Sequence, residues 1–482
     1  MSHDKPFFLF HFFQNLISMY FNTQTTSFNA DLYTPVKIYL SLRNTFRKTC
    51  LLESNDYHSR QNSRSFIGLD PLLEIIQQNG TVQIIRANHT DKIKLDPELS
   101  YAKQVQSILD DFTFEQSTYN GFFGRMNFEY TLHDETHISK HQYQSDLPDL
   151  HLFIFRNIIV IDHFTNEGSI IENSLDGIFT SNSIEDFMSN SGNQPLPFEL
   201  FGNERAEYSD TQFENMVKKG IEHCQRGDVF QLVLSNRFEQ SFFGDDFEVY
   251  RQLRRLNPSP YLFFFDFESY RLFGSSPEAQ LVIKNGEAEI HPIAGTVPRT
   301  GVKETDNLQL EFLINDEKEN AEHTMLVDLA RNDLSRDCNL VNVSSYKEVQ
   351  HFSHVTHLVS KVTGQLRATN NFEALCNSFP AGTLSGTPKP KALELIAQYE
   401  SKPRDFYGGT IGILTPKEDL NMAIVIRSIL SKNNTLYYRA GAGIVLDSDP
   451  KRETQEVHHK LGAVRRAIHK TANQFTTKKK TK

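Results

Sequence analysis

The stretch AIVIRSILSKNNTLYYRAGAGIVLDSDPKRETQEVHHK, residues Ala423–Lys460, reads as a strand, a turn, a second strand, a glycine-rich corner and a helix. Alternation over Ala423–Ser428 predicts the first strand, with Arg427 exposed at one end. Asn433 and Asn434 make the turn, because asparagine tolerates positive φ. Tyr437–Ala440 returns, and Gly441, Ala442 and Gly443 form a corner where backbone N–H groups can approach a ligand closely. Asp449 and Pro450 start a helix, a capping residue followed by proline at the first helical position. Within it Glu453, Glu456 and Lys460 fall at i, i+3 and i+7, so one face carries two carboxylates and an ammonium. A guanidinium, a backbone anion nest and metal-type carboxylates suit an anionic substrate held with a divalent cation. The same spacing fits an exposed helix with ordinary salt bridges, and the stretch alone leaves both readings open.

The chain has 482 residues, 38% hydrophobic and 23% charged, enough for one large body or two domains. A net charge of −10 argues against a nucleic-acid partner, and the basic run Lys478–Lys482 reads as a solvated tail. Cys50, Cys224, Cys338 and Cys376 show no CxxC spacing, so neither disulfides nor zinc are expected and a reducing, cytoplasmic compartment fits. None sits in a Gly-x-Cys-x-Gly setting, the usual place of a glutamine amidotransferase nucleophile. The aromatic run Phe7–Phe13 is too short to span a bilayer and lacks a small-residue cleavage site. Residues 1–21 therefore read as a disordered or non-native extension, and no membrane association is expected.

Residues 22–195 mix short strands and helices: Pro35–Arg43 is a strand or short helix, Gly68–Pro71 a turn, and Thr81–Ala87 and Leu152–Asp162 are strands. Asn190–Pro197 is the candidate linker. Residues 196–472 form the second region, with a basic tail at 473–482. Ser209 and Gln212 form a capping box before a helix that ends at Gly227. Phe247–Leu256 is a helix stopped by Asn257-Pro258, and Asn285-Gly286 joins two strands as a hairpin. Asp316–Leu334 and Pro388–Glu400 are helical. Strands joined by tight turns, with helices between, predict an α+β fold of largely antiparallel sheets flanked by helices.

Three further segments carry chemistry. In KENAEHTMLVDLARND (Lys318–Asp333), Glu322 lies opposite the greasy face, a candidate Mg²⁺ ligand or a solvated glutamate. His354 and His357 sit in HFSHVTHLVS, where a histidine is either a partial-core residue or an acid–base. PAGTLSGTPKPK (Pro380–Lys391) precedes a helix N-terminus, where anions bind well, or is a plain capped loop.

Taken together, the motifs LLES, GDVFQLVLSNRF, LNPSPYLFFF, GSSPE, HPIAGTVPR, KENAEHTMLVDLARNDLSR, FSHVTHLVSKVTGQL, FPAGTLSGTPK, YGGTIG, IVIRS and RAGAGIVLDSDP followed by ETQEVHHK resemble the chorismate-utilising enzymes. Within that family they resemble the large subunits of anthranilate synthases. The resemblance implies an α/β sandwich with its active site in a cleft of the second half. It implies that chorismate binds with Mg²⁺ on Glu322 and Glu456, with Glu453 nearby. Gly295, Thr296, Tyr407, Arg427, Gly441, Ala442, Gly443 and Lys460 would hold the substrate, and His357, Glu278 and Thr383 would be the acid–base and positioning residues. Ser54, Asn257, Pro260, Tyr261 and Leu262 match the family's tryptophan effector site. The implied partner is a glutamine amidotransferase subunit that supplies ammonia.

Two positions separate members of the family. Isochorismate and salicylate synthases place a water-activating lysine where Gln231 stands, and aminodeoxychorismate synthases often place a nucleophilic lysine at Ala294. Lacking both, the chain is expected to add ammonia to chorismate and release anthranilate and pyruvate, on the tryptophan pathway. The alternatives are an aminodeoxychorismate synthase without the lysine, and a non-catalytic chorismate- or tryptophan-binding regulator. Thr300, Thr324, Ser335 and Thr454 depart from the family pattern.

Overall fold

The computed structural model describes residues 18–54, 63–133, 145–179, 196–351, 355–415 and 419–480. His354, residues 190–195 of the candidate linker, and residues 1–17 of the extension lie outside the described residues.

The backbone is organised by one antiparallel ladder. From Phe198–Ala206 it passes to Gln231–Gly244, Thr435–Ile444, Ser428–Lys432, Arg271–Ser276, Tyr261–Asp266, Thr49–Glu53, Arg64–Gln78 and Leu150–Asp162. It continues through Phe122–Met126, Thr410–Leu414, Leu420–Ile424, Ala279–Lys284, Glu287–Ile290 and Val355–Leu366. Met19–Asn29, which begins inside the expected extension, pairs parallel to Phe112–Phe114 and antiparallel to Glu167–Ser174.

Strand alternation sorts the side chains into layers. Phe123, Phe153, Phe155, Phe263, Phe265 and Ile411 fill the space where the ladder folds back on itself. Their neighbours point outward. Leu51, Phe264, Phe273 and Ile429 pack with residues of the helices Pro35–Leu42, Asp210–Arg226, Phe247–Leu256 and Lys389–Tyr399. On the other side Phe122, Leu281, Leu414 and Met422 pack with Tyr101–Leu109, Glu317–Ser335 and Asn371–Ser378. The result is the expected sandwich, helix over sheet over sheet over helix. Each buried Phe or Leu contributes roughly 2 kcal/mol.

Local signals act as the sequence suggests in several places. Ser209 and Gln212 form both halves of the capping box, and Gly227 ends that helix at φ 77°. Asn285 and Gly286 turn the hairpin at φ 51° and 79°, and Asn433 and Asn434 do so at 51° and 56°.

Four expectations are corrected. Gly68–Pro71 is no turn: the strand Arg64–Gln78 runs through it and absorbs Asp70 (φ 55°) and Pro71 as a bulge against Leu150–Asp162. The strand expected at Ala423–Ser428 is broken. Leu420–Ile424 belongs to one part of the sandwich and Ser428–Lys432 to the other, and the chain crosses between them with Arg427 at φ 48°. Gly441–Gly443 is no corner but strand interior, paired through Gly441 with Ser235 and Gly443 with Val233. The expected tail continues a helix, Gly462–Lys480.

Candidate active site

The site forms where the chain crosses between the two sheets. Glu278 links Arg271–Ser276 to Ala279–Lys284, its N–H donating to Ser276 Oγ at 3.3 Å and its carbonyl accepting from Ile424 N–H at 3.0 Å. Beside it runs the second crossing, where the Arg427 carbonyl accepts from Ser275 N–H at 3.2 Å. Thr383, in the short helix Gly382–Ser385, donates from Oγ1 to Glu278 Oε1 at 3.2 Å. Burial pushes the Glu278 carboxyl up to about 7, against the pull of Thr383, Arg427 and Lys460. Arg427 is held below its ordinary range by burial, and Glu278 opposes that shift.

His357 sits on Val355–Leu366 opposite Thr296. It is 5% exposed, and burial together with the Arg427 charge holds its imidazole down at about 4, against its bond with the Gly295 backbone. Gly295 has φ 80°, and a Cβ there would lie 2.7 Å from Leu313 Cδ1, so the strand bends at this point only as glycine.

The opposite wall is the strand pair Gln231–Gly244 and Thr435–Ile444. Gln231 Nε2 donates to Glu322 Oε1 at 3.0 Å. A Cβ on Gly443 would meet that same Nε2 at 2.8 Å, so the missing side chain is what admits the amide. Ser428–Lys432 pairs with this strand only as far as Leu430 with Tyr437, which leaves the far edge of Gly441–Ile444 without a strand among the described residues. Lys460 Nζ reaches that edge, donating to the Gly441 carbonyl at 2.9 Å. The Tyr407 ring is buried beside Gly441, whose Cβ would come within 3.1 Å of its hydroxyl.

In the helix Pro450–Lys460, Asp449 caps the N-terminus through Arg452 N–H, as expected. Glu456 pairs with Lys460 at 2.7 Å, both about half exposed. Burial works against the Lys460 charge, but Glu456, with Tyr407 and Glu322 further off, holds its pKa above the ordinary range. Glu453 instead accepts from Ser448 Oγ at 2.8 Å. Among the described residues no group of three or more His, Cys, Asp or Glu is arranged to hold a metal. Two carboxylates, Glu322 and Glu456, nonetheless share one ammonium's field, and Mg²⁺ commonly takes one or two carboxylates and leaves its other positions to water and substrate. Both are hard oxygen donors of the kind that ion takes.

Two segments that carry expected effector residues lie side by side. Thr49–Glu53 lies antiparallel to Tyr261–Asp266 with Glu53 opposite Leu262, which brings Ser54 beside Tyr261. Asn257 Nδ2 donates to Ser275 Oγ at 3.1 Å, and Ser275 Oγ donates to the Asn257 carbonyl. Pro260 is half-buried. Tyr261 lies opposite Ser276, two residues before Glu278, so one strand pair joins this patch to the site.

Sequence reading missed the contact between Gln231 and Glu322, and it missed Glu400, Arg404 and Arg439, which lie buried behind Tyr407. No local pattern joins them, because the helix ends at Tyr399 and Pro403 separates Glu400 from Arg404. The four departures from the family pattern each have a partner. Thr300 bonds Asp306, Thr324 the Asn320 carbonyl, Ser335 the Arg331 carbonyl and Thr454 the Pro450 carbonyl. No helix among the described residues is long and apolar enough to cross a membrane.

The sequence profile of the family described as chorismate binding enzyme matches residues 48–466. Anthranilate synthase component 1 of Bacillus subtilis (strain 168) is 33% identical over 490 aligned residues, covering 94% of this chain and 93% of that protein. The Bacillus pumilus protein of the same name is 35% identical over 487, covering 93% and 92%. Among solved structures, anthranilate synthase component I from Streptococcus pneumoniae TIGR4 matches with a TM-score of 0.72 at 30% identity, covering 90% of this chain and 98% of that one. MenF, the menaquinone-specific isochorismate synthase from Escherichia coli, matches with a TM-score of 0.73 at 19% identity over 96% and 98%, a likeness of fold. With a family profile and relatives matched along nearly its whole length, this chain belongs to the chorismate binding enzyme family.

Proposed function

We propose that this chain is the synthase subunit of an anthranilate synthase, converting chorismate and ammonia to anthranilate and pyruvate in tryptophan biosynthesis. The observation that carries the reading is Gln231, whose amide donates to Glu322 at 3.0 Å. A neutral amide cannot take a proton from water, whereas ammonia is a nucleophile without help. Ala294 offers no side-chain nucleophile, which disfavours an aminodeoxychorismate synthase.

Arg427, Lys460 and the open strand edge at Gly441, Ala442 and Gly443 would bind the substrate carboxylates, with Tyr407, Gly295 and Thr296 lining the ring. Glu322 and Glu456 would hold Mg²⁺, which when bound offsets negative charge on the substrate and its leaving hydroxyl. Glu278, poised near neutrality, can hold or release a proton at its carboxyl while Thr383 orients it. His357 is neutral at pH 7 and can accept one. Ser54, Asn257, Pro260, Tyr261 and Leu262 form the proposed tryptophan site, and a glutamine amidotransferase subunit is the proposed ammonia source.

The test is to incubate pure protein with chorismate, Mg²⁺ and ammonium at mildly alkaline pH and identify the product by mass. Anthranilate is expected, and none with glutamine until a glutaminase subunit is added. Aminodeoxychorismate or isochorismate as the main product would overturn the reading, and absence of turnover would favour a regulator.

A further inference from the structure

Behind the proposed site lies a cluster to whose residues no role has been given above. Glu400 closes the helix Lys389–Tyr399, and its side chain is 1% exposed. Glu400 Oε1 accepts from Ser235 N–H at 2.8 Å, Ser235 Oγ at 2.9 Å and Arg404 Nη2 at 2.7 Å. Oε2 accepts from Arg404 Nε at 2.9 Å and Arg439 Nη1 at 2.9 Å. Arg439 Nη2 goes on to Glu207 Oε2 at 3.2 Å, so two cations meet two anions.

Two further Arg404 bonds lead to the site. Nη1 donates to the Leu384 carbonyl at 2.6 Å, one residue past Thr383. Nη2 donates to the Val233 carbonyl at 2.7 Å, and Val233 pairs with Gly443. Ser235, held by Glu400, pairs with Gly441, whose carbonyl takes the Lys460 ammonium. The guanidinium lies 5.9 Å from the centre of the Tyr407 ring and 4.5 Å from that of Phe128. Glu129 pins the same turn, accepting from Arg404 N–H at 2.6 Å and Asp405 N–H at 3.0 Å.

We propose that Arg404, held by Glu400, is a positioning residue: one planar guanidinium sets the spacing between the Thr383–Glu278 pair, the Tyr407 ring and the strands carrying Gln231 and Gly441–Gly443. Two arguments support this. The guanidinium makes four fixed N–H bonds, two to Glu400 and one each to the Leu384 and Val233 carbonyls, and the three donors on a lysine's single nitrogen cannot reproduce that set. A buried ion cluster is also a poor stabiliser compared with apolar packing of equal volume, so stability alone does not account for it. The inference rests on the proposed placement of the substrate against these segments.

The experiment compares Arg404→Lys with Arg125→Lys. Arg125 is equally buried and bonds Tyr270 Oη at 2.8 Å, the Pro148 carbonyl at 3.3 Å and Asn127 Oδ1, none of them a residue assigned to the site. Both variants should lose stability in urea. Arg404→Lys should lose on the order of ten-fold or more in kcat, since small misplacements cost that much, with KM for chorismate within about three-fold. Arg125→Lys should keep its kcat. Arg404→Lys within about two-fold of wild-type kcat would overturn the proposal, as would an equal kcat loss in both variants. Should Arg404→Lys not fold, Ser235→Ala removes one donor to Glu400 without changing charge, and an unchanged kcat there is also fatal. Rates are read on whichever product wild type makes from chorismate. Failure of the anthranilate reading therefore shows as a different product, while failure of this proposal shows as unchanged rates. A wild-type chain that consumes no chorismate overturns both.

Discussion

Thr383 Oγ1 donates to Glu278 Oε1 at 3.2 Å across the junction of the two sheets. The bond favours the ionised carboxylate, yet burial wins and the carboxyl titrates at about 7. Thr383→Val removes the donor and should move the corresponding limb of the pH–rate profile to higher pH. A limb that stays in place would show that the bond does not tune Glu278.

The same carboxyl links stability to pH. Its folded pKa of about 7 exceeds the unfolded value of 4.5, so the folded chain binds the proton more tightly. That contribution is fully present below 4.5 and is lost as pH rises through 7, an effect on the order of 3 kcal/mol. Glu278→Gln should flatten this part of the curve and be more stable relative to wild type at pH 8 than at pH 4.5. Urea midpoints at several pH values measure it, and parallel curves for the two proteins would contradict it.

His357 runs the other way. Its folded pKa of about 4 lies below the unfolded value of 6.5, so its contribution is present above 6.5 and is lost as pH falls through 4. Burial and Arg427 cause the depression, so Arg427→Gln should raise the pKa. NMR titration of the imidazole reports this directly, and an unmoved resonance would remove Arg427 from the account.

Glu456 is half exposed and pairs with Lys460 at 2.7 Å. Glu456→Ala should therefore change stability by no more than about 1 kcal/mol. Turnover should nonetheless fall about a hundred-fold or more if the carboxylate holds Mg²⁺ against the substrate. Wild-type turnover that persists in excess EDTA would sink the metal assignment.

Ser54→Phe should crowd the position beside the Tyr261–Asp266 strand and relieve inhibition by tryptophan, while turnover without tryptophan stays nearly constant. The path to the site is short, from Tyr261 to Ser276 and on to Glu278. A coupling of about 1–3 kcal/mol is expected along it. Chorismate titrations with and without millimolar tryptophan decide: a wild type indifferent to tryptophan, or a variant equally sensitive, would refute the site.

Elements with short-range causes were legible in the sequence. The capping box at Ser209, the Asp449-Pro450 helix start and the Asn285-Gly286 hairpin depend on a few adjacent residues, and all three stand where expected. Arg427 was legible as a residue but not in its backbone. Apolar alternation runs on through Val425 and Ile426, and only the strands on either side, far away in sequence, make the chain change sheets there. The glycine pair at 441 and 443 misled for a related reason. Glycine signals close approach, and here the approaching groups are Gln231 and Tyr407 lying over a paired strand. The Arg404 cluster needs Ser235, Glu400 and Arg439, three separate parts of the chain, and no local pattern joins them.

The ladder order also bears on how the protein is made. Gln231–Gly244 waits for Thr435–Ile444, and Arg271–Ser276 waits for Ser428–Lys432. On the ribosome both older strands are finished long before their partners emerge, and each presents unpaired N–H and C=O groups until then. Such late, distant pairing is slow and exposes the growing chain to other strands. A messenger truncated shortly before codon 428 would thus yield an adhesive polypeptide with two open sheet edges, one that burdens chaperones and proteases as well as lacking Arg427's neighbours.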